Sequence, residues 1–414
     1  MAFSDISLSI TSYRGDFFLK APIRLCTLVL CLFQGPLLFA QAPSLDTLNI
    51  VNWNIQYFGD ASHHSNVSLQ VNGVRNMMNA MNADIYAFCE VVNIDSFASV
   101  INSLPGDYGY LVAGFGSFAN SPSSSGYASA QKLAIAYRKD RVRNLAGRAF
   151  MSSSSSAYSN FSSGRFPFLV TAEVLGKDQA WHSLHFLILH AKAYSDATSC
   201  QRRIDGCAEL KDSLDHYYSQ KPFLLLGDYN DDLDTSICAG ATESNYALLL
   251  HDSLNYKPET LDISMAGAFS IDGYTSLIDH VIASPAMYSY YLPGSAKSLR
   301  NLSKQVDPAY DSHISDHFPV LTRYMLDHAL PNAVSSPVFP NISLYPNPVN
   351  GSLYVSGINW ERALVMDLNG NRIKSVSILS GPQIDLDFLK AGTYFIQFFN
   401  HESNSWVRPI IKQP

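Results

Sequence analysis

The sequence has little charge for its length. Aspartate, glutamate, lysine and arginine make up 15% of its 414 residues, and the formal net charge is −7. A chain without a positive balance has no broad attraction for nucleic acid, which argues against a processive DNA-binding protein. It does not exclude a nuclease that contacts phosphates through a few local arginines and lysines. Hydrophobic residues at 47% and aromatic residues at 12% suffice for a sizeable core.

Cysteine is scarce, and its spacing excludes the common zinc sites. The chain has 6 cysteines, of which Cys26 and Cys31 lie in an apolar N-terminal segment. Neither C-x-x-C nor H-E-x-x-H spacing occurs, so we reject a zinc site. An exported chain can form disulfides, and we expect Cys200 to pair with Cys238 across a helix and a strand. Cys89 lies in an apolar strand and is expected to be a buried thiol.

The N-terminal apolar run is too short to span a membrane. It covers residues 25–40, whereas a spanning helix needs about 20 apolar residues. Arg14, Lys20 and Arg24 precede the run, and Ala40-Gln41-Ala42 ends it. A basic region, an apolar core and an A-x-A site are typical of a secretory signal peptide, which we predict over residues 1–42. A membrane anchor is the alternative.

The rest of the chain divides by its pattern of secondary structure. Before residue 327, apolar stretches of strand length alternate with helical stripes, whereas only short strands and turns follow residue 343. The intervening segment is rich in proline and serine and has no periodicity. We therefore predict an α/β domain over residues 43–326, a linker over 327–343 and a small all-β sandwich domain over 344–414. Serine-rich residues 117–129 and 152–163 are predicted to be surface loops.

The segment PFLLLGDYND, residues 222–231, changes from a buried strand to polar side chains within a few residues. Three successive leucines indicate a strand that is buried on both faces. Gly227 is expected to let the backbone turn. Asp228 and Asn230 point the same way if the backbone stays extended. The alternative is an ordinary Asp/Asn turn at the end of a strand.

Other apolar segments also contain polar residues that burial alone does not explain. Glu90 lies in the buried strand predicted over residues 85–92, where an unpaired carboxylate costs roughly several kcal/mol. It needs a cation, a proton or a donor, and a salt bridge to a core arginine is the structural alternative. Further residues of this kind are Asn54, His190, Asp279, Asp316 and His317. Taken alone, each has a plain explanation, such as a polar strand end.

Taken together, these residue types favour a metal-dependent hydrolase of phosphate esters. Carboxylate and carboxamide oxygens suit Mg²⁺, which keeps several waters and takes few protein ligands. A cation can stabilise charge on phosphorus oxygens, while carboxylates and histidines move protons to and from the reacting oxygens.

Six motifs resemble those of the endonuclease/exonuclease/phosphatase superfamily, which has the deoxyribonuclease I-like fold. They are WNIQYFG, CEV, LILHAKA, LLLGDYND, LIDHVIAS and SDHFPV, in this order. The resemblance covers residues 48–326. It implies a four-layer α/β sandwich of two packed β-sheets flanked by helices, with the site at one end of the sheets. It also implies Mg²⁺, with Mn²⁺ as an alternative and Ca²⁺ as a structural ion.

The resemblance implies roles for the metal and water sites. Glu90 is the principal metal ligand and Asp316 a second one. Asn54 positions the metal or the phosphate. Asp228 and Asn230 hold the attacking water and the phosphate, with Asp228 as the candidate general base.

The resemblance also implies roles for the two histidines. His317 contacts the scissile phosphate, and Asp279 fixes its tautomer and raises its pKa. His190 is the candidate general acid for the leaving group. Arg165 is a candidate substrate-binding residue. Its segment resembles the one that carries a glutamate beside this histidine, but Phe166 stands at that position, so His190 is expected to lack a carboxylate partner.

The C-terminal segment is similar to the sorting domain of the type IX secretion system. The similarity rests on LYPNP at residues 344–348, DLNG at 367–370 and AGTYFIQF at 391–398. It implies that the secretion machinery is a partner and that the protein is secreted or at the cell surface. A generic carbohydrate-binding or adhesion sandwich is the alternative.

Three functions follow from these residues. The first is an exported, monomeric phosphodiesterase that acts as a nuclease on DNA or RNA. The second is a phospholipid or inositol-phosphate esterase of the same fold, although no long apolar membrane-inserting hairpin is evident. The third is an inactive surface-binding module, which would require the loss of site residues that are all present.

Overall fold

A computed structural model describes residues 47–327, 343–356, 362–367, 372–377, 383–399 and 405–413. The predicted signal peptide and nearly all of the predicted linker lie outside the described residues. Among the described helices, none combines the length and the apolar character needed to cross a membrane.

The part before residue 328 alternates strands and helices. Its strands are β1 (Leu48–Phe58), β2 (Ile85–Val91), β3 (Tyr108–Val112), β4 (Lys132–Arg138), β5 (Val142–Ala149), β6 (Phe168–Leu175), β7 (Trp181–His190), β8 (Phe223–Asp228), β9 (Lys257–Pro258), β10 (Asp279–Ala283), β11 (Lys297–Ser298) and β12 (Val320–Tyr324). Its helices are α1 (Val67–Met81), α2 (Ile94–Asn102), α3 (Ser155–Asn160), α4 (Ala197–Tyr217), α5 (Ala247–Leu250), α6 (Leu261–Met265), α7 (Pro285–Tyr288), α8 (Arg300–Val306) and α9 (Tyr310–His313).

These strands form two six-stranded sheets. The first has the order β11-β12-β1-β2-β4-β3 and the second β5-β6-β7-β8-β10-β9. In each sheet one neighbouring pair is parallel, β1 with β2 and β7 with β8. Parallel neighbours need a crossover connection, and α1 and α4 supply these two crossovers.

The two sheets pack face to face with helices outside them. In β1, Leu48 and Ile50 join a core that also contains residues of β7, β8 and α4. The alternate residues Val51 and Trp53 join a second core with residues of α1 and α2. Since successive side chains of a strand point to opposite faces, one face of the first sheet covers the second sheet. The expected four-layer α/β sandwich is confirmed.

Local sequence signals explain where the crossover helices begin and end. The Asn66 side chain accepts the Leu69 N–H at 3.0 Å, which satisfies a free donor at the start of α1. Asn82 ends this helix in the left-handed conformation, with φ of 44°. Asp196 caps α4 in the same way by accepting the Ser199 N–H at 3.0 Å. The predicted surface loop at residues 152–163 is partly wrong, because α3 forms there.

The segment around Gly227 departs from the sequence-based expectation. Leu224, Leu225 and Leu226 are fully buried, as predicted. The backbone does not turn at Gly227, because β8 continues to Asp228. Gly227 has φ of +143°, and a Cβ atom there would lie 1.8 Å from Leu189 O. Glycine is required by this close approach of β7 and by the positive φ.

The predicted disulfide is confirmed. Cys200 and Cys238 are bonded and connect the first turn of α4 with the loop after β8. Cys89 and Cys207 are free and buried. Burial raises the pKa of the Cys89 thiol well above its usual value, so this side chain is inert, as expected for a buried thiol.

The described residues after 342 form an all-β unit. Its strands are β13 (Ser343–Tyr345), β14 (Ser352–Ser356), β15 (Arg362–Met366), β16 (Arg372–Ser377), β17 (Gln383–Asp385), β18 (Gly392–Phe399) and β19 (Ser405–Lys412). They form antiparallel sheets of order β13-β14-β17 and β16-β15-β18-β19. Leu353, Val365 and Ile396 belong to a core of this unit alone. The expected small all-β domain is confirmed.

Candidate active site

Strand register brings three of the candidate residues together at one end of the second sheet. Asp228 at the end of β8 pairs with His190 at the end of β7. On its other side Asp228 pairs with Asp279, the first residue of β10. Side chains at paired positions project from the same face of a sheet, so these three groups meet.

Asn54 joins this group to the first sheet. Its Nδ2 donates to Asp228 Oδ2 at 2.9 Å and to Glu90 Oε1 at 3.0 Å. Its Oδ1 accepts the Gln56 N–H at 3.0 Å, because β1 is irregular after Asn54 and Gln56 has φ of 42°. Nearby, Asn52 Nδ2 donates to Gly227 O at 2.8 Å. In this arrangement Asn54 orients two carboxylates, and its positioning of the metal or the phosphate stays a prediction.

Glu90 is held by neutral donors. Besides Asn54, it accepts the Tyr57 N–H at 2.9 Å and Gln131 Nε2 at 2.6 Å. None of its salt-bridge partners among the described residues is an arginine, so the alternative of a core salt bridge is not what the structure shows. The backbone of Glu90 has φ of 67°, a conformation that costs free energy for a residue with a side chain and is frequent at functional sites.

Asp228 is the most central carboxylate of the site. Its Oδ2 lies 3.4 Å from His190 Nε2 and 3.8 Å from His317 Nε2. Burial raises its pKa to about 6, although the charge of His317 opposes the shift. Asn230 has φ of 50° and donates its N–H to Asp228 Oδ1 at 2.9 Å. The alternative of an Asp/Asn turn is therefore correct for the backbone, and the extended geometry is not found.

Hydrogen bonds hold both the ring and the backbone of His317 in place. Its Nδ1 lies 2.7 Å from Asp279 Oδ2, and its backbone oxygen accepts the Tyr310 hydroxyl at 2.7 Å. Burial alone would lower the pKa of His317, but the charges of Asp279 and Asp228 outweigh it and hold this pKa well above the usual value. The direction agrees with the expectation. These two carboxylates therefore favour the protonated form of His317.

His190 has the opposite electrostatics. Burial, followed by the charges of Arg165 and His317, holds the pKa of His190 well below its usual value. Its Nε2 lies 3.7 Å from Glu90 Oε1, in addition to the contact with Asp228. The expectation that His190 lacks a carboxylate partner is therefore wrong at Nε2. Its Nδ1 has no hydrogen-bond partner among the described residues.

Arg165 binds backbone and side-chain oxygens beside the site, whereas Phe166 belongs to the hydrophobic core. The guanidinium of Arg165 donates to His190 O at 3.0 Å, Ala191 O at 2.9 Å and Gln131 Oε1 at 2.5 Å. All its nitrogens therefore have protein acceptors, with Ser162 Oγ as a further one at 3.2 Å. Phe166 is buried in the core that lies between the sheets. Arg165 stays a predicted substrate-binding residue.

Asp316 lies on the same side of the molecule as Glu90. It donates its N–H to Gln56 Oε1 at 3.1 Å, and its Oδ1 is buried without a hydrogen-bond partner among the described residues. Burial raises the pKa of Asp316, His317 lowers it, and the negative charge of Glu90 raises it. The charge of one predicted metal ligand, Glu90, therefore acts on the other, Asp316.

The geometry fits a divalent cation close to Asp228. Ligand atoms of Glu90, His190 and Asp228 lie within 4.8 Å of one another, and so do those of Asp228, Asp279 and His317. Buried oxygens without a donor are costly, and Asp279 Oδ1 is one, as is the Asp316 oxygen. A hard cation that prefers oxygen ligands would satisfy such groups. The first group differs from the predicted metal ligands because it contains Asp228 and His190 and not Asp316.

Sequence reasoning missed Gln131 and Asp231. Gln131 connects Glu90 with Arg165, yet it lies at the end of a serine-rich stretch where no pattern distinguishes it. Asp231 is fully buried and accepts the N–H groups of Ile237 and Asn245, each at 2.7 Å. It thereby orders the loop after Asp228. The only available signal was its place in the GDYND motif.

Comparisons with known proteins give matches for both parts of the chain. A family model described as "Secretion system C-terminal sorting domain" matches residues 343–413. This match implies export to the cell surface or the medium. No curated relative matches the sequence.

Solved structures similar to this chain include endonuclease/exonuclease/phosphatase proteins. The protein from Bacteroides vulgatus is 13% identical, with a TM-score of 0.48, and the match covers 68% of this chain and 99% of that one. The human Nocturnin catalytic domain is 14% identical, with a TM-score of 0.44 and coverage of 67% and 94%. A mannosyl-6-phosphatase from Bacteroides thetaiotaomicron is 15% identical, with a TM-score of 0.44 and coverage of 66% and 98%.

Proposed function

We propose that this chain is an exported, divalent-metal-dependent phosphodiesterase that cleaves nucleic acid. The observation that carries the proposal is the convergence of carboxylates and histidines from both sheets on Asp228. The ordered motifs that resemble the endonuclease/exonuclease/phosphatase superfamily support the same chemistry. The sorting-domain match supports export, for which we propose the type IX machinery and the signal peptide at residues 1–42.

Glu90 would hold the cation, with Asp316 as a second ligand, which leaves the nearby Asp228 to accept a proton. A bound Mg²⁺ or Mn²⁺ stabilises negative charge on the phosphorus oxygens. Asn54 keeps the two carboxylates oriented through its amide, and Gln131 and the Tyr57 N–H hold Glu90 from the other side.

Asp228 acts as the general base in this proposal. With a pKa of about 6 it is ionised at pH 7 to 8 yet basic enough to accept a proton from the attacking water. The Asn230 N–H fixes the orientation of its carboxylate. The water oxygen then bonds to phosphorus while the bond from phosphorus to the leaving oxygen breaks.

We assign the positive charge of the site to His317 and a neutral state to His190. His317 carries a transferable proton at neutral pH, because Asp279 and Asp228 stabilise its cation. It can donate to the phosphate and protonate the leaving oxygen, and the paired Asp279 then stabilises the proton that remains on Nδ1. We assign the role of general acid to His317 and not to His190, because a neutral imidazole is a poor acid.

Plasmid cleavage by the full chain tests this function. We expect His317→Ala to lower kcat by at least about 100-fold, since one acid–base group contributes about that much. EDTA should abolish cleavage, and added Mg²⁺ should restore it. His313→Ala removes a partly exposed histidine of α9 that pairs with Asp307, and it should retain activity.

Full activity in EDTA or in His317→Ala would reject the mechanism. A panel of duplex DNA, RNA, sphingomyelin and an inositol phosphate tests the substrate class. Cleavage of either of the last two without cleavage of DNA or RNA would reject the nuclease assignment.

A further inference from the structure

A cleft of about 360 Å³ opens beside Glu90 and His190. Its lining combines three cationic side chains, Lys192, Arg202 and the buried Arg165, with aromatic side chains. The mechanism above uses none of Lys192, Arg202, Tyr194 and Phe118, although the cleft adjoins the atoms to which we assign the chemistry. A substrate that extends beyond its scissile phosphate would enter this cleft.

Lys192 and Arg202 are both available for an anion. Lys192 Nζ donates to Ala193 O at 3.1 Å and lies 4.5 Å from the centre of the Tyr194 ring. Arg202 donates to Ser159 O through Nη2, and its Nε has no hydrogen-bond partner among the described residues. Neither side chain forms a salt bridge with a carboxylate among the described residues. Two such cations in a chain of net charge −7 mark a local attraction for phosphate.

Two aromatic side chains of the cleft are exposed to solvent. Tyr194 is 72% exposed and Phe118 is 76% exposed. Tyr194 has φ of 80°, and buried Arg203 donates to Tyr194 O at 2.7 Å and to Lys192 O at 2.6 Å. The hydrogen bonds from Arg203 therefore hold the backbone of Tyr194 in a conformation that costs free energy. A flat ligand that covers exposed apolar rings removes them from water, which stabilises the complex.

We propose that this cleft binds an unstacked nucleotide that flanks the scissile phosphate. Lys192 and Arg202 receive its phosphate, and its base lies against Tyr194 and Phe118. The proposal deepens the proposed function and rests on it for the position of the scissile phosphate. Single strands offer such a nucleotide freely, whereas a duplex must first unstack a base, which costs free energy. The protein therefore prefers single-stranded nucleic acid to duplex.

Equilibrium binding tests the cleft separately from catalysis. The full chain is titrated in EDTA with a fluorescein-labelled oligothymidylate, with its duplex, and with an abasic strand that has the same number of phosphates. Base stacking of about 1–3 kcal/mol corresponds to about 5- to 150-fold in affinity. We expect the oligothymidylate to bind tighter than the other two by a factor in this range.

Variants assign the effect to the cleft. Tyr194→Ala and Phe118→Ala should each weaken oligothymidylate binding within the same range. Tyr217→Ala is the matched control, because Tyr217 is 62% exposed at the other end of α4. For the cations, each of Lys192→Met and Arg202→Gln should reduce the slope of log affinity against log salt by about 0.7. Lys221→Met, which precedes β8 at the opposite end of the sheet, should not change that slope.

Equal affinity for single strand and duplex, or for the abasic strand, would overturn the proposal. So would binding that is unchanged in Tyr194→Ala and Arg202→Gln, or an inositol phosphate that binds the cleft when the oligothymidylate does not. Failure of the proposed function looks different, because the protein would then bind the oligothymidylate in EDTA but hydrolyse no nucleic acid with Mg²⁺.

Discussion

Asp228 connects the parts of the site through one carboxylate. Its two oxygens accept bonds from the Asn54 side chain and the Asn230 backbone, and both histidines approach it. Burial makes its negative charge unfavourable and raises its pKa to about 6. Because the folded state holds this proton more tightly than the unfolded chain does, the metal-free fold loses stability as the pH rises through about 4 to 6. A bound cation would offset that loss.

Metal binding should therefore compete with protonation of Asp228. A cation favours the ionised carboxylate, so we expect the affinity for Mg²⁺ to fall about tenfold per pH unit below about pH 6 and to level off above it. Calorimetric titration with Mg²⁺ in buffers of different ionisation enthalpy measures both the affinity and the proton released. Asp228→Asn should release no proton. An affinity for Mg²⁺ that is independent of pH between 5 and 7 would contradict this account.

At the scale of elements, β8 determines the geometry of the site. It lies between β7 and β10, and the register on both sides aligns Asp228 with His190 and with Asp279. A slip of one residue would turn the Asp228 side chain to the other face of the sheet. Gly227 permits the close approach of β7 that accompanies this register.

Replacement of Gly227 by alanine should disrupt both stability and activity. The new Cβ would lie 1.8 Å from Leu189 O, and the residue would keep a φ of +143°. We expect a loss of about 2–4 kcal/mol in the free energy of unfolding, from backbone strain and overpacking together. Urea unfolding and plasmid cleavage measure the two effects.

Gly240→Ala separates the clash from the backbone strain. Gly240 also has a positive φ, of +76°, but a Cβ there would meet nothing within 4 Å. Gly240→Ala should lower the free energy of unfolding by about 1 kcal/mol and leave plasmid cleavage unchanged. If both variants behave alike, the contact with Leu189 is not the reason for Gly227.

At the scale of the whole molecule, the hydrophobic cores are separate. The two cores of the α/β part contain residues up to Leu326, and the core of the all-β part begins at Val349. Each part therefore has the buried apolar surface that independent folding requires. The all-β part matches the sorting-domain model, and none of its described residues belongs to the candidate metal-binding groups.

Removal of the all-β part should affect export but not catalysis. We expect a chain that ends at Asp327 to keep its rate of plasmid cleavage and to unfold within a few degrees of the α/β transition of the full chain. Circular dichroism and cleavage assays measure these properties. In a bacterium with type IX secretion, the shortened chain should stay inside the cell while the full chain is exported. Loss of cleavage on shortening would contradict the separation of roles.

Local patterns in the sequence determined much of this protein. The apolar runs at residues 85–92 and before Gly227 are short-range signals, so they predicted the strands β2 and β8. The polar residues at strand ends were also visible, because burial alone selects against them. The resemblance of ordered motifs added the two-sheet sandwich, and it predicts roles for Glu90, Asp228 and His317.

Tertiary structure decided how these residues face one another. Asn54 and Asp228 are 174 positions apart and meet only because two sheets pack together. The left-handed backbone of Glu90 and Asn230, the place of Gln131 between Glu90 and Arg165, and the close approach at Gly227 depend on strand register and sheet packing. Local propensity does not encode such long-range geometry, because each contact forms between segments whose sequences carry no information about each other's position.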